Sequence, residues 1–324
     1  MRAEYFHPIM ILIITSSEDA TADYVTKELE PDSYIRINSE ELPNSVKILA
    51  TQSSAILETQ WGRFRPEDFS GVWYRKPGSI SFKFDADDAD LKHAAAEFSA
   101  ALEGLLYLIP EQKWINHPKR NIQAGYKLEQ VIRAQSLGFM VPDTIITQDL
   151  ATLQSFWKTH HGKVIIKPLS SGYIERKDGN DSIIYTNKLR HVDLVAPDEL
   201  ARCPALFQEE IAKIRDIRIT VVDDDIQAVE LSASDATGQR LDIRRDNMMG
   251  VSYKSVKLPA IIEQKIRSLL NSYSLRFGAV DMLLHENEKD FIFLEINPNG
   301  QWAWLDMVGA STSRTALIKA LQGH

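Results

Sequence analysis

Asp281, Glu295 and Asn297 have the types and spacing that point first to chemistry. They lie in FGAVDMLLHENEKDFIFLEINP, Phe277 to Pro298, two strand-like runs that read as a hairpin. With Asn287, Glu288 and Lys289 as the loop, Glu286 faces Asp290 and Asp281 faces Glu295. Side chains alternate along strands, so Asp281, Glu295 and Asn297 share one face. Val280, Met282, Leu284, Ile292, Leu294 and Ile296 form an apolar reverse. Facing carboxylates repel and persist when a cation or a shared proton compensates them. Oxygen-only donors suit a hard ion such as Mg²⁺, which keeps water and engages phosphates. The alternative is the solvated polar face of an ordinary hairpin.

Further candidates lie upstream. Lys127 sits in the helical run GYKLEQVIRAQSLG, and Lys167 closes the apolar strand VIIK before Pro168. A buried ammonium needs a partner, and phosphate is one; the alternative for each is a solvated lysine. Ser170, Ser171 and Gly172 make a loop whose N–H groups could meet phosphate, or a plain turn. In FQEEI, Glu209, Glu210 and Ile211 could offer backbone groups to an adenine edge, or end a strand in water. Asp216 could accept from ribose hydroxyls. Arg218 alternates with Ile217 and Ile219, and Arg244 lies in the charged run LDIRRD; either could be a surface arginine. Trp302 and Trp304 read as a buttress behind the carboxylates or as a groove wall. No general base is assigned, although Asp242 and Asp246 are close in sequence. His7, His117 and His285 lack metal-ligand spacing and read as structural.

Elements must carry these residues to one place. The first third reads as strands at Ile9–Ile14, SYIRIN, VKILAT, AILETQ and GVWYRKP, with helices at SSEDATADYVTKEL and from Asp87 to Leu108. The middle reads as a helix from NIQAGYK to Gly138, with Leu128, Val131, Ile132 and Leu137 on its apolar face. An extended MVPDTIITQD, a helix LATLQSFWKTH and strands KVIIKP and SIIYTN follow. The last third reads as a strand ALFQEEI, a hairpin DIRITVVDDDIQAVELSA, a helix through Ile262, Ile266, Leu269, Leu270 and Tyr273 closed at Gly278, and the carboxylate hairpin. Asp306 reads as an N-cap. The blocks are 1–112, 113–204 and 205–324.

Composition is ordinary for a soluble globular enzyme: 44% apolar and 25% charged residues with a net charge of −8. The acidic balance argues against nucleic acid held by bulk charge. Cys203 is the lone cysteine, so no internal disulfide forms. The apolar run Pro8–Ile14 is too short for a membrane span and reads as a first strand, not a signal peptide. No membrane partner and a cytoplasmic location are the expectations.

Taken in order, the helix lysine, IIKP with its small-residue loop, QEEI, DIRIT and D…FLEINPNG resemble the ATP-grasp carboxylate ligases over Asn116 to Asp306. VWYRKP (Val72 to Pro77) and LEINPNGQWAWLD resemble a narrower branch, similar to the microviridin ligases, that matures ribosomal peptides into graspetides. The resemblance implies an α/β (α+β) ATP-grasp fold, with an N-terminal pre-ATP-grasp domain and central and C-terminal domains sandwiching ATP. By position it implies Lys127 and Lys167 on the ATP phosphates, with Ser171 and Gly172 in the covering loop. Glu209 and Ile211, flanking Glu210, would hold adenine, and Asp216 the ribose. Asp281, Glu295 and Asn297 would hold Mg²⁺, and Arg218 and Arg244 would face the γ-phosphate and an acyl phosphate. The implied substrate is a precursor peptide, leader plus core, whose Asp or Glu side chains are joined to Lys amines or Ser/Thr hydroxyls by a homodimeric enzyme. Arg75 and Lys76 could then receive an acidic core peptide, or sit in water. Two other functions share parts of this pattern: a ligase adding an amino acid to a small molecule or protein tail, similar to glutathione synthetase, and a non-catalytic nucleotide-binding module. The full lysine, arginine and carboxylate set counts against the module.

Overall fold

The computed structural model describes residues 10–42, 44–77, 89–170, 172–174, 176, 179–191, 200–235 and 238–323. Strand β1 (Met10–Thr15) is buried along its whole length. Helix α1 (Ala20–Thr26) follows, with Asp19 accepting from the N–H groups of Thr21 and Ala22. β2 (Tyr34–Asn38) returns parallel to β1. β3 (Val46–Thr51), β4 (Ser54–Thr59) and β5 (Gly62–Phe64) form a separate antiparallel sheet. β6 (Phe69–Tyr74) rejoins β1 on its other side. α2 (Ala89–Leu106) buries Leu102, Leu105 and Leu106, and β7 (Trp114–Ile115) completes the parallel order β2-β1-β6-β7. A parallel sheet covered on both faces makes its central strand a nearly continuous apolar run, as Met10 to Ile14 is.

The expected long helix of the middle block is two helices, α3 (Pro118–Ala124) and α4 (Lys127–Ser136). Gly125, a poor helix former, and an extended Tyr126 separate them. The break changes the buried face: Gln130, Val131 and Ala134 point inward, while Leu128 and Ile132 are exposed. β8 (Thr144–Thr147), α5 (Leu150–Thr159) and β9 (Val164–Lys167) follow. SIIYTN is divided: β11 (Ser182–Ile183) pairs with β10 (Tyr173–Ile174), and β12 (Asn187–Lys188) pairs with β9. β13 (Ala205–Glu209) lies between β9 and β8, in the sheet β12-β9-β13-β8. The strand that opens the third block in sequence thus belongs to the second block's sheet.

The last sheet runs β18-β15-β14-β19-β20. Its hairpin β14 (Lys213–Val222) and β15 (Asp225–Ser232) turns at Asp223, which has φ 49°. β16 (Ser234–Asp235) and β17 (Gly238–Gln239) form a small ribbon before β18 (Ser252–Val256). Helix α6 (Ala260–Tyr273) buries all five apolar residues expected of it. It ends at a left-handed Ser274, not at Gly278. Gly278 lies inside β19 (Phe277–His285), under Ile296 of β20 (Phe291–Asn297). α7 (Ala303–Met307) and α8 (Ser313–Leu321) close the chain. Asp306 caps α8 from within α7, accepting from the N–H groups of Ser313 at 3.0 Å and Arg314 at 2.8 Å. α8 packs onto the first block, where Leu317 and Leu321 share a core with Ile11, Ile13 and Trp73.

Candidate functional site

Asp281 pairs with Glu295, as the expected hairpin register predicts. The register nearer the turn differs by one residue: Met282 faces Phe293, Leu284 faces Phe291, and His285 N–H donates to Asp290 O. The extra residue is Leu294, a β-bulge between Phe293 and Glu295. Phe291 and Phe293, not Ile292 and Leu294, therefore join Val280, Met282 and Ile296 on the apolar reverse. Leu294 instead lines the carboxylate side, as Leu283 does. A bulge re-aims side chains in this way. In FIFLEI every neighbour is apolar, so the pattern hides it.

Between the β12-β9-β13-β8 sheet and the five-stranded sheet lies a cavity of about 390 Å³. Lys127, Lys167, Glu209, Glu210, Ile211, Asp216, Arg218, Arg244, Asp281, Glu295 and Asn297 all line it. Lys127 opens α4, and its Nζ donates to Pro168 O at 2.8 Å and lies 3.5 Å from Glu295 Oε2. Lys167 ends β9; burial lowers the pKa of its ammonium, against the pull of Glu295. Burial disfavours the Glu295 carboxylate, but Lys127 and Lys167 outweigh it and hold its pKa below the ordinary value. Asp281 moves the other way: burial raises its pKa and facing Glu295 adds to the rise, although Arg218 opposes both.

Arg218 Nη1 donates to both oxygens of Asp281 at 2.8 Å, and its Nη2 donates to Gln301 O at 2.7 Å. Asn297 Oδ1 accepts from Asn299 N–H at 3.0 Å. Two carboxylates and an amide oxygen are a hard-oxygen set that fits Mg²⁺ and leaves lone pairs free. No larger cluster of metal-ligating His, Cys, Asp and Glu gathers among the described residues. Asp216 shares the cavity face of β14 with Arg218 and is paired with Lys213 at 2.7 Å. Burial raises its pKa, against Lys213.

Arg244 is held by Asp242 through two bonds, Nε to Oδ1 at 2.9 Å and Nη2 to Oδ2 at 2.7 Å. Asp242 also accepts from Thr186 N–H at 3.1 Å, tying this loop to the second block. Burial would raise the Asp242 carboxyl, but Arg244 and these N–H donors bring it down to about 2. At the seam between the sheets, Glu209 N–H donates to Asp143 O and Glu210 N–H to Lys163 O. Glu210 also pairs with Lys188 at 2.6 Å. Glu210 thus has no free N–H for a ligand.

Four expected site residues stand apart. Ser171 lies outside the described residues. Gly172 does not line the cavity. It accepts from Ile184 N–H, and a Cβ there would meet Ile184 O at 2.8 Å. Arg75 is 1% exposed, so no peptide reaches it. Trp302 is wholly buried against Tyr24 and the first block. Trp304 does line the cavity and packs edge-on against Tyr253. Lys213, which pairs with Asp216 three residues on, and Gln301, which holds Arg218 by its main chain, were not singled out by residue type and spacing; Asp242, weighed only as a base, is the anchor of Arg244.

Residues 10–122 match the MvdD pre-ATP grasp domain family. No curated protein matches the chain. The macrocyclase MdnC of Microcystis aeruginosa, solved with precursor peptide MdnA, is similar at TM-score 0.83 and 23% identity, covering 97% of this chain and 99% of that one. Macrocyclase MdnB of the same organism is similar at TM-score 0.77 and 24% identity, over 97% and 99%. These two show the ATP-grasp fold. A RiPP-associated ATP-grasp ligase of Chryseobacterium gregarium, solved with ADP and a leader and core peptide, reaches TM-score 0.82 and 30% identity over 97% of this chain and 95% of that one. With that identity across nearly both whole chains, on the shared fold and around the cavity just described, this chain belongs to the RiPP-associated ATP-grasp ligases.

Proposed function

We propose that this ligase activates Asp and Glu side chains of a ribosomal precursor peptide as acyl phosphates, using ATP, and joins them to Lys amines or Ser/Thr hydroxyls. The products are macrocyclic amides or esters, with ADP and phosphate released. The observation that carries this is the convergence of Lys127, Lys167, Arg218 and Arg244 with the Asp281–Glu295 pair on one cavity. The chain's likeness to a ligase solved with ADP, leader and core peptide supports the choice of substrate.

A carboxylate is a poor electrophile, because its charge repels nucleophiles and its leaving group would be oxide. Its attack on the γ-phosphorus makes a bond to phosphate and releases ADP. The amine or hydroxyl then attacks the acyl carbon, phosphate leaves, and the peptide has lost one water per bond. Lys127 and Lys167 bind the ATP phosphates. The Glu209 carbonyl and Ile211 N–H meet adenine, since the Glu210 N–H is engaged, and Asp216 receives the ribose. Asp281, Glu295 and Asn297 would hold Mg²⁺, which neutralises phosphate charge when bound. Arg218 and Arg244 face the transferring phosphoryl group, where positioned charge contributes most to rate. The proposal includes a cytoplasmic homodimer; light scattering and cell fractionation test that part.

Enzyme, Mg·ATP and peptides encoded beside the gene are incubated and weighed by mass spectrometry. The expected result is loss of one water per bond, matched by ADP. Retention of every peptide mass, alongside ATP-dependent addition of a free amino acid, would show a ligase that extends substrates instead.

A further inference from the structure

Arg75 directly follows β6 in the first block, in sequence far from the residues around the cavity. Its guanidinium is buried, and a buried cation persists only when its donors are satisfied. One edge faces its own block: Nε lies 2.9 Å from Asp19 Oδ2 and 3.2 Å from Oδ1. Asp19 is itself fixed by the Thr15 hydroxyl at 2.6 Å and the Thr21 N–H at 3.1 Å. The other edge crosses to the third block. Nη2 donates to Gln301 Oε1, and Nη1 reaches Gly300 O at 3.5 Å. Gln301 Oε1 also accepts from the Thr21 hydroxyl at 2.7 Å.

The same turn then touches the cavity. Gln301 O accepts from Arg218 Nη2 at 2.7 Å, and Arg218 Nη1 spans Asp281. Arg218 Nε is buried without a hydrogen-bond partner among the described residues, so its two terminal nitrogens alone orient it. The turn has no slack: a Cβ on Gly300 would lie 2.4 Å from Ala279 Cβ and 2.9 Å from Arg218 Nη2. Gly300 N–H donates to Asn297 O at 3.2 Å, so Asn297 rides on the same turn.

We propose that Arg75 is a positioning residue for the ligase: it clamps the Gly300–Gln301 turn from the first block and thereby aims Arg218 at the transferring phosphoryl group. The assignment rests on Arg218 acting at that phosphoryl group. Arginine suits the task because its planar fork holds Asp19 and the turn at once, which a lysine ammonium does not. The first block thereby sets geometry in a cavity it does not line, and a misplacement of about 1 Å costs roughly 100-fold in rate.

The test is a double-mutant cycle in the full chain: Arg75→Lys and Gln301→Ala, each alone and combined with Arg218→Lys. ADP release, peptide mass, ATP affinity by calorimetry and the unfolding midpoint are measured. Each single variant is expected to lower kcat by roughly 10–100-fold, with KM for ATP changed by less than about threefold. In the Arg218→Lys background those losses disappear. Losses that multiply with Arg218→Lys, or that follow the unfolding midpoint alone, overturn the proposal. Gln301→Ala keeps the Asp19–Arg75 pair, so the cycle decides even where Arg75→Lys does not fold. A wild type that releases ADP without peptide water loss overturns the ligation reading and leaves the cycle legible. Crosslinked peptide with independent Arg75 and Arg218 losses overturns the positioning role alone.

Discussion

At the scale of single residues, the cavity is a set of opposed charges held apart by geometry. Lys167 stands near Glu295 and has lost part of its hydration, so its ammonium gains most from a phosphate partner. Replacing it, Lys167→Ala, is expected to weaken ATP binding by about 1.5–3 kcal/mol, roughly 10–150-fold, read by calorimetry; an unchanged affinity would place the phosphates elsewhere. Asp242 makes a prediction in pH. Its folded pKa of about 2 lies below the ordinary 3.8, so it stabilises the fold above pH 4 and loses that contribution as pH falls toward 2. The contribution is about 2 kcal/mol. Urea unfolding of wild type and Asp242→Asn should differ at pH 6 and converge between about pH 4 and pH 2; a constant gap would assign the loss to packing.

At the scale of elements, the carboxylate hairpin is positioned by polar side chains outside it. Gln130 on α4 donates to Ile296 O at 2.9 Å and accepts from Ile296 N–H at 3.0 Å. Asn116, after β7, donates to Phe277 O at 2.9 Å and Pro298 O at 3.1 Å. It accepts from the N–H groups of Arg276 at 2.8 Å and Phe277 at 2.9 Å. One side chain thus ties the start of β19 to the end of β20, where Asn297 sits. Asn116→Ala leaves buried backbone groups unpaired and is expected to cost about 2–4 kcal/mol, read as a shift in urea midpoint. It should also reduce ATP turnover, because Asn297 loses its anchor. Turnover at the wild-type level in a destabilised variant would separate the anchor from the site.

At the scale of the whole molecule, the first and last blocks behave as one body. β6 approaches α8 so closely that a Cβ on Gly71 would lie 2.4 Å from Leu321 O. Ser70 Oγ donates to that same carbonyl at 2.9 Å. Gly71→Ala must push backbone against backbone, which is expected to cost about 1–3 kcal/mol by urea unfolding. An unchanged midpoint would mean that α8 docks loosely. Tight docking is what lets Arg75 reach the Gly300–Gln301 turn. Among the described residues no helix is long and apolar enough to cross a membrane.

Much of the site was legible in the sequence because the signals are local. The expected hairpin register put Asp281 opposite Glu295, and Lys127 and Lys167, picked out upstream, line the same cavity. The order of short motifs implied the fold. The tertiary structure alone decided what depends on distant partners. Leu294 looks like any apolar strand residue until β20 is paired, and then it is a bulge. Arg75 reads as a peptide contact or a solvated group until Gln301, 226 positions away, covers it, and Trp302 is a buttress or a groove wall until Tyr24 of the first block packs on it. β13 reads as the start of a new block until it pairs with β8 and β9. Alternation reports which neighbours share a face; burial and charge partners depend on what packs against that face, and only the folded chain brings those segments together.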